Sequence, residues 1–153
     1  LSNGRLRTGD VGYVDEDGYV FLIDRIKDLI ISGGFNVYPR MVEEAIQQHP
    51  AVVEVAVAGV ADKHRGEVVK AFVVLHEGMA MSASELREFL KDRLAPFEIP
   101  RKVEFVQEIP KTLIGKPLRR ALIAFEERRA QAVAAARPSV NGHAETRQRE
   151  HAG

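Results

Sequence analysis

Apolar residues along the chain fall into short blocks separated by clusters of charge and glycine. Val11–Val14 and Tyr19–Ile23 flank Asp15-Glu16-Asp17-Gly18, a turn whose glycine supplies positive φ, so the pattern predicts a β-hairpin. Asp24-Arg25-Ile26-Lys27-Asp28 then breaks the apolar pattern with four charges, which makes it a candidate domain boundary. Leu29-Ile30-Ile31-Ser32-Gly33-Gly34 reads as a short strand ending in a diglycine. Pro39 suits the first turn of a helix in which Val42, Ala45 and Ile46 recur at i, i+3 and i+4, while Glu43, Glu44, Gln47 and Gln48 take the other face. That helix stops at His49-Pro50.

Two longer blocks follow. Val52–Val60 is rich in β-branched residues and Val69–Leu75 is almost wholly apolar, so both are predicted as buried strands joined by the polar loop Asp62–Glu67. Ser82 with Glu85 three residues on forms a capping box, and Leu86, Phe89, Leu90 and Leu94 give a helical stripe. Lys102–Val106 alternates as a half-exposed strand does, and Pro110–Lys116 reads as a loop. Pro117 is expected to open a last helix with Leu118, Leu122 and Phe125 on one face. From Arg129 the chain is Ala-rich, and residues 138–153 are polar without periodicity and expected to be disordered. The order after Lys27 is β-α-β-β-α-β-α, an α+β arrangement of a small mixed β-sheet flanked by helices, with no internal repeat.

Composition narrows the function classes. With 153 residues, 45% of them hydrophobic, the chain can build one core but not a large multidomain enzyme. Lys plus Arg and Asp plus Glu both number 22, so no bulk attraction to nucleic acid or anionic membrane is implied. The aromatic residues, 7% of the chain and read as mostly core-phase, argue against a stacking surface for RNA. The absence of cysteine removes disulfide scaffolds and thiolate chemistry and suits a reducing, cytoplasmic setting. The longest apolar run, Val68–Leu75, is interrupted by Lys70 and is far too short for a membrane span. The histidines are scattered without ligand spacing, so no metal site is assigned. Leu-Ser-Asn-Gly-Arg at the N-terminus is neither a signal peptide nor a start, and the chain is expected to begin within a longer one.

Four places could carry chemistry. Asp10, at a loop-to-strand junction, has a carboxylate able to accept two hydrogen bonds from a diol such as ribose, although a turn aspartate accounts equally for Thr8-Gly9-Asp10. Gly33-Gly34 either lets a backbone approach a ligand closely or simply makes a tight turn. Lys116 follows Gly115 at the start of the last predicted helix, where the helix dipole favours anions; an ammonium there can follow a shifting negative charge, or can be one more solvated surface lysine. Arg119-Arg120 and Arg128-Arg129 read as a solvated helix face.

The order of these signals is more specific than any one of them. Thr8-Gly9-Asp10, Gly12-Tyr13, Asp17-Gly18-Tyr19, Asp24-Arg25-Ile26-Lys27-Asp28, Ile31-Ser32-Gly33-Gly34-Phe35-Asn36-Val37-Tyr38-Pro39 with Val42-Glu43-Glu44, Leu94-Ala95-Pro96-Phe97-Glu98-Ile99-Pro100 and Pro110-Lys111-Thr112 with Gly115-Lys116 and Leu118-Arg119-Arg120 together resemble the C-terminal part of adenylate-forming enzymes. Within that superfamily the Ser-Gly-Gly-Phe-Asn-Val-Tyr-Pro stretch looks like CoA ligases, fatty acyl-CoA synthetases above all. The resemblance implies that Asp10 binds the ribose hydroxyls of ATP and the acyl-adenylate, that Arg25 acts near the ribose and phosphate, and that Lys27 is the hinge. It also implies that Gly33 and Gly34 lie on the loop that admits the pantetheine arm of CoA and that Lys116 bridges the substrate carboxylate and the α-phosphate. Ile114, Pro117 and Met41 depart from the family pattern; the first two suggest a stiffer lysine loop.

The implied organisation is a terminal hairpin of a large N-terminal adenylation domain (1–26), a mobile C-terminal domain (27–129), and a helix end with a disordered tail (130–153). The implied activity is that of an AMP-forming acid–CoA ligase, with a fatty acid as the expected carboxylic acid, ATP, CoA and Mg2+ as co-substrates and no prosthetic group. The upstream domain is the expected partner, without which the fragment is expected to be inactive. An adenylation domain that loads a carrier protein is the alternative within the superfamily, though a carrier domain would be expected after residue 125 and the polar tail shows none. A stand-alone β-α-β-β-α-β binding module without catalysis is the alternative outside it.

Overall fold

A computed structural model describes residues 7–113, 115 and 117–135, and in it the chain forms a separate hairpin followed by a sheet with helices on both faces. The hairpin pairs β1 (Asp10–Val14) with β2 (Val20–Arg25) antiparallel, and the register places Asp10 opposite Arg25. Its turn is built as the sequence indicates: the Asp15 carboxylate accepts from the backbone N–H groups of Asp17 at 3.1 Å and Tyr19 at 2.8 Å, and Gly18 has φ of +86°. The charged break is a 3₁₀ turn, Ile26–Asp28, that ends the hairpin and begins the larger unit.

That unit contains β3 (Ile30–Ser32), β4 (Phe35–Val37), α1 (Pro39–Gln47), β5 (Val52–Asp62), β6 (Gly66–Leu75), α2 (Ala83–Leu90), β7 (Lys102–Phe105) and α3 (Arg119–Ala135). The sheet order is β4-β3-β6-β5, with β7 parallel to β6 and the other pairs antiparallel. β5 occupies one edge of β6 along its length, so β3, which meets β6 only at Ser32–Gly66, and β7, which pairs Lys70–Val73, share the other edge.

Alternation along β5 and β6 gives the sheet two buried faces. On one, Val55, Val57, Val69, Ala71 and Val73 pack against Val42 and Ile46 of α1 and Leu86 and Leu90 of α2. On the other, Ala56, Ala58 and Phe72 meet Ile109 and Leu122 of α3, and the small β5 side chains let that helix come close. The predicted capping box starts α2: Ser82 Oγ accepts the Glu85 N–H at 3.2 Å and Glu85 returns a carboxylate to the Ser82 N–H at 2.7 Å.

Several expectations need correction. β4 is an additional strand, three residues long and directly followed by a helix, too short to show as an apolar run. Pro117 does not open α3; it pairs in an isolated bridge with Lys111, and the helix starts at Arg119. Leu122 is the buried residue of that helix's expected apolar face, whereas Leu118 and Phe125 are exposed. The aromatics are not mostly core: among the largest fully buried side chains only Phe72 is aromatic, and Tyr13, Tyr19, Phe21, Phe35, Phe97, Phe105 and Phe125 are exposed. The expected disordered stretch 138–153 lies outside the described residues.

Candidate functional site

The register of the hairpin brings two of the predicted residues together. Arg25 Nε lies 3.4 Å from Asp10 Oδ1 across the base of the ladder. Thr8 Oγ1 accepts the Asp10 N–H at 3.3 Å, and the Gly9 carbonyl accepts the Ile26 N–H at 2.8 Å, so the loop before β1 is tied to the end of β2. Asp10 is partly buried and Arg25 exposed, which leaves the pair open on one side to a ligand. Lys27 comes two residues later, exposed in the 3₁₀ turn. The turn is held from behind: Asp24 accepts the N–H groups of Arg25 at 2.8 Å and Arg40 at 2.9 Å, which joins β2 to the first turn of α1. Lys27 also borders a cleft of about 210 Å³ between this turn, the sheet and α3, with Asp28, Gly59, Glu67, Arg119 and Arg120.

Gly33 and Gly34 lie at the opposite end of β3 from Lys27. They form the two-residue turn between Ser32 and Phe35, which are direct partners, with φ of +58° and +88°. Positive φ at both centre positions follows the right-handed twist of the two strands, and glycine adopts it without strain. The next residue, Phe35, stacks on Phe97 with ring centroids 4.6 Å apart, so the turn is joined to the Leu94–Pro100 segment.

The lysine loop is held differently. Its ends meet in the Lys111–Pro117 bridge, the Pro110 carbonyl accepts the Leu118 N–H at 2.7 Å, and Gly115 sits at φ of +77° in a turn closed by its N–H to the Thr112 carbonyl at 2.9 Å. Lys116 and Ile114 themselves lie outside the described residues. At the loop's entry, Lys111 Nζ is 2.9 Å from Glu54 of β5. At its exit, Arg119 grips Glu43 of α1 with two bonds, Nε–Oε1 at 3.1 Å and Nη2–Oε2 at 2.6 Å, while Nη1 lies 3.5 Å from Asp28. Glu43 also accepts the backbone N–H of Val57 in β5 at 2.8 Å. Burial pushes the Glu43 carboxyl above its ordinary value, outweighing the opposing pull of Arg119. Burial works against the Arg119 charge too, but Glu43, with Asp24 and Asp28 behind it, keeps that guanidinium firmly protonated.

Farther along α3 lies a second charged cluster. Lys70, inside the apolar run of β6 and almost fully buried, has its ammonium 2.6 Å from Glu104 of β7 and 2.8 Å from Glu126 of α3, above the Phe72 ring. Arg129 closes the group on the same carboxylates at 2.9 Å and 3.2 Å. Burial acts to raise the Glu104 carboxyl, but Lys70 and Arg129 together hold it below its usual value.

The solvated-face expectation therefore fails for Arg119 and Arg129, which are paired; Arg120 remains exposed, and Arg128, also exposed, bonds the Ala124 carbonyl of its own helix. Glu43, Arg119 and Lys70 are residues to which the sequence reading gave no functional role. Glu43 and Arg119 stand within motifs of the resemblance, and for Lys70 the signal was a lysine inside an apolar run, since an unpaired ammonium is not buried. Among the described residues no group of three or more His, Asp or Glu could hold a metal ion, and no helix is long and apolar enough to cross a membrane.

The profile of the AMP-binding enzyme C-terminal domain matches residues 41–116. A long-chain-fatty-acid–CoA ligase of Bacillus subtilis (strain 168) is 53% identical over 126 residues, 82% of this chain and 22% of that protein. A fatty acid–[acyl-carrier-protein] ligase, ScoC of Streptomyces coeruleorubidus, is 48% identical over 122 residues, 80% of this chain and 24% of that protein. Among solved structures, o-succinylbenzoate CoA synthetase from Bacillus subtilis in complex with its acyl-adenylate intermediate superposes with a TM-score of 0.75 at 45% identity, covering 80% of this chain and 25% of that one. The chain thus spans about a quarter of the length of the proteins it matches.

Proposed function

The chain belongs to the adenylate-forming superfamily, whose AMP-binding C-terminal domain it carries, and on that premise we propose that it is the C-terminal part of an ATP-dependent acid–CoA ligase. The observation that carries the reading is the 53% identity with the long-chain-fatty-acid–CoA ligase, which runs over 82% of this chain. The substrate class that follows is a carboxylic acid, with a fatty acid favoured. ATP and CoA serve as co-substrates, and the reading includes a cytoplasmic setting.

In the proposed enzyme the residues divide the labour between two half-reactions. Residues 1–26 end the upstream adenylation domain and residues 27–129 form the mobile unit, with the 3₁₀ turn between them. Asp10 accepts the ribose hydroxyls, and Arg25, 3.4 Å away, orients that carboxylate and adds positive charge near the phosphate. Lys116 neutralises charge on the carboxylate and α-phosphate as the carboxylate oxygen attacks phosphorus and pyrophosphate leaves. Rotation at Lys27 then exchanges the lysine loop for the Gly33–Gly34 turn, and the CoA thiol displaces AMP to give the thioester. Mg2+ accompanies ATP as a co-substrate, and the described residues offer no donor set for it.

The full-length protein carrying this chain should catalyse acid-dependent ATP–pyrophosphate exchange and form acyl-CoA, and the isolated chain should do neither. Assay with a panel of short, long and aromatic acids tests this. No exchange with any acid would overturn the reading. Exchange without acyl transfer to CoA, but with transfer to a holo carrier protein, would establish the second reading, which the 48% identity with a carrier-protein ligase favours.

A further inference from the structure

The lysine loop is tied at both ends, to Glu54 of β5 at its entry and to Glu43 of α1 at its exit, and the two ties differ in kind. At the entry, Lys111 and Glu54 make one ion pair, with the lysine side chain 46% exposed, and such a pair is weak and easily rearranged. At the exit, the Arg119 side chain is only 25% exposed and Glu43 15%, and a planar guanidinium fork meets a carboxylate that is itself fixed by a backbone N–H of β5. A contact path therefore runs from Val57 through Glu43 to Arg119, the first residue of α3, three positions after Lys116 in the sequence. The third donor of Arg119 reaches Asp28, the neighbour of Lys27.

We propose that Arg119 is a positioning residue for adenylation: locked on Glu43, it fixes where the chain leaves the lysine loop at the start of α3, and through Asp28 it registers that exit against the Lys27 turn. The inference rests on reading the chain as part of an acid–CoA ligase. A lysine at 119 would keep the charge but lose the fork, so it would not fix the helix start in the same way. The mid-helix cluster around Lys70 holds α3 to the sheet independently, so loss of the Arg119 contact alters the loop's aim more than the helix's docking.

The test uses the full-length enzyme, with ATP–pyrophosphate exchange and acyl-CoA formation from supplied acyl-adenylate measured separately. Arg119→Met and Glu43→Gln should each slow exchange, to the extent of on the order of 100-fold for a displaced catalytic group, and leave the thioester step near the parental rate. Arg119→Lys should share the defect, whereas Arg129→Met, which removes the ion pairs of a half-exposed arginine of the same helix to Glu104 and Glu126, should leave the ratio of the two half-reactions unchanged. Should Arg119→Met fold poorly, Arg119→Lys carries the same comparison. Equal losses in both half-reactions, or no loss in either, would overturn the role of Arg119 while leaving the ligase reading intact. A parental enzyme without acid-dependent exchange would remove both.

Discussion

The Gly33–Gly34 turn and the lysine loop both depend on glycine at positive φ, yet they are held in opposite ways. The turn is two residues long and its shape is fixed by its own strands, since Ser32 and Phe35 are paired directly on either side. The lysine loop runs between Lys111 and Pro117, closed by one isolated bridge and anchored by carboxylates on β5 and α1. A local turn presents backbone in one fixed shape, which suits a surface along which a flexible arm must slide. A loop anchored by distant side chains takes its position from tertiary contacts, which suits a group that must meet a developing negative charge. The difference is consistent with the proposal that the two loops serve different half-reactions.

The sharpest way to break that assignment is at Lys116. In the full-length enzyme, Lys116→Ala should lower pyrophosphate release by about 100- to 1000-fold, the usual cost of one charged contact in a preorganised site, while supplied acyl-adenylate is still converted to thioester. Equal losses in both assays would show that the loop serves no single step.

Next comes the turn the two loops share. Lys27 lies between the hairpin and β3 in a 3₁₀ turn, where a few dihedrals could carry the whole rotation. Proline there fixes φ and disfavours the helical conformation of Ile26 before it. Lys27→Pro should keep pyrophosphate exchange and reduce acyl-CoA formation by about 100-fold, the scale of a misplaced reacting group. A folded variant running both steps at parental rates would move the pivot elsewhere.

Gly34→Leu sharpens the comparison from the other side. No atom lies within 4 Å of a Cβ built on Gly34, so the domain itself has room for a side chain; what the change adds is backbone strain at φ of +88° and bulk on an open surface. Strain of about 1–3 kcal/mol and an obstructed path for the thiol should reduce the CoA step by roughly 10- to 100-fold with adenylation spared. Unchanged CoA transfer would reduce the diglycine to a hairpin turn.

What could be read along the chain and what could not divides on the same line between local and distant causes. The hairpin turn, the helix start at Pro39 and the Ser82–Glu85 capping box are each decided by residues within a few positions of one another, and the sequence shows them directly. Arg119 looked solvated because its acceptor, Glu43, is 76 residues away on another helix, and Lys70 looked like a mere interruption because Glu104 arrives from 34 residues downstream. Pro117 misled because proline suits a helix start and a bridge position equally well; only its partner Lys111 decides. The exposed aromatics misled for a related reason, since a core-phase position along the chain names no partner that covers the ring.

The smallest expected effect lies in the carboxylates that hold α3, because the two clusters titrate in opposite senses. Glu104 has a folded-state pKa below its unfolded value, so its contribution to stability is present above the ordinary carboxylate range, near about 4.3, and is lost as pH falls through the folded pKa. Glu43 has a folded-state pKa above its unfolded value, because burial outweighs Arg119, so its contribution is complete below the ordinary range and is lost as pH rises through the folded pKa. Denaturant unfolding of the chain from about pH 7 to about pH 3 should therefore show the gap between parent and Glu104→Gln closing on acidification. The gap for Glu43→Gln should move the other way. Glu104 is partly exposed, so solvent screening keeps its share small, and the sign of the pH dependence is what the experiment reads. A Glu104→Gln gap that stays constant across that range would mean that the Lys70 cluster fills space on the α3 face without contributing through charge.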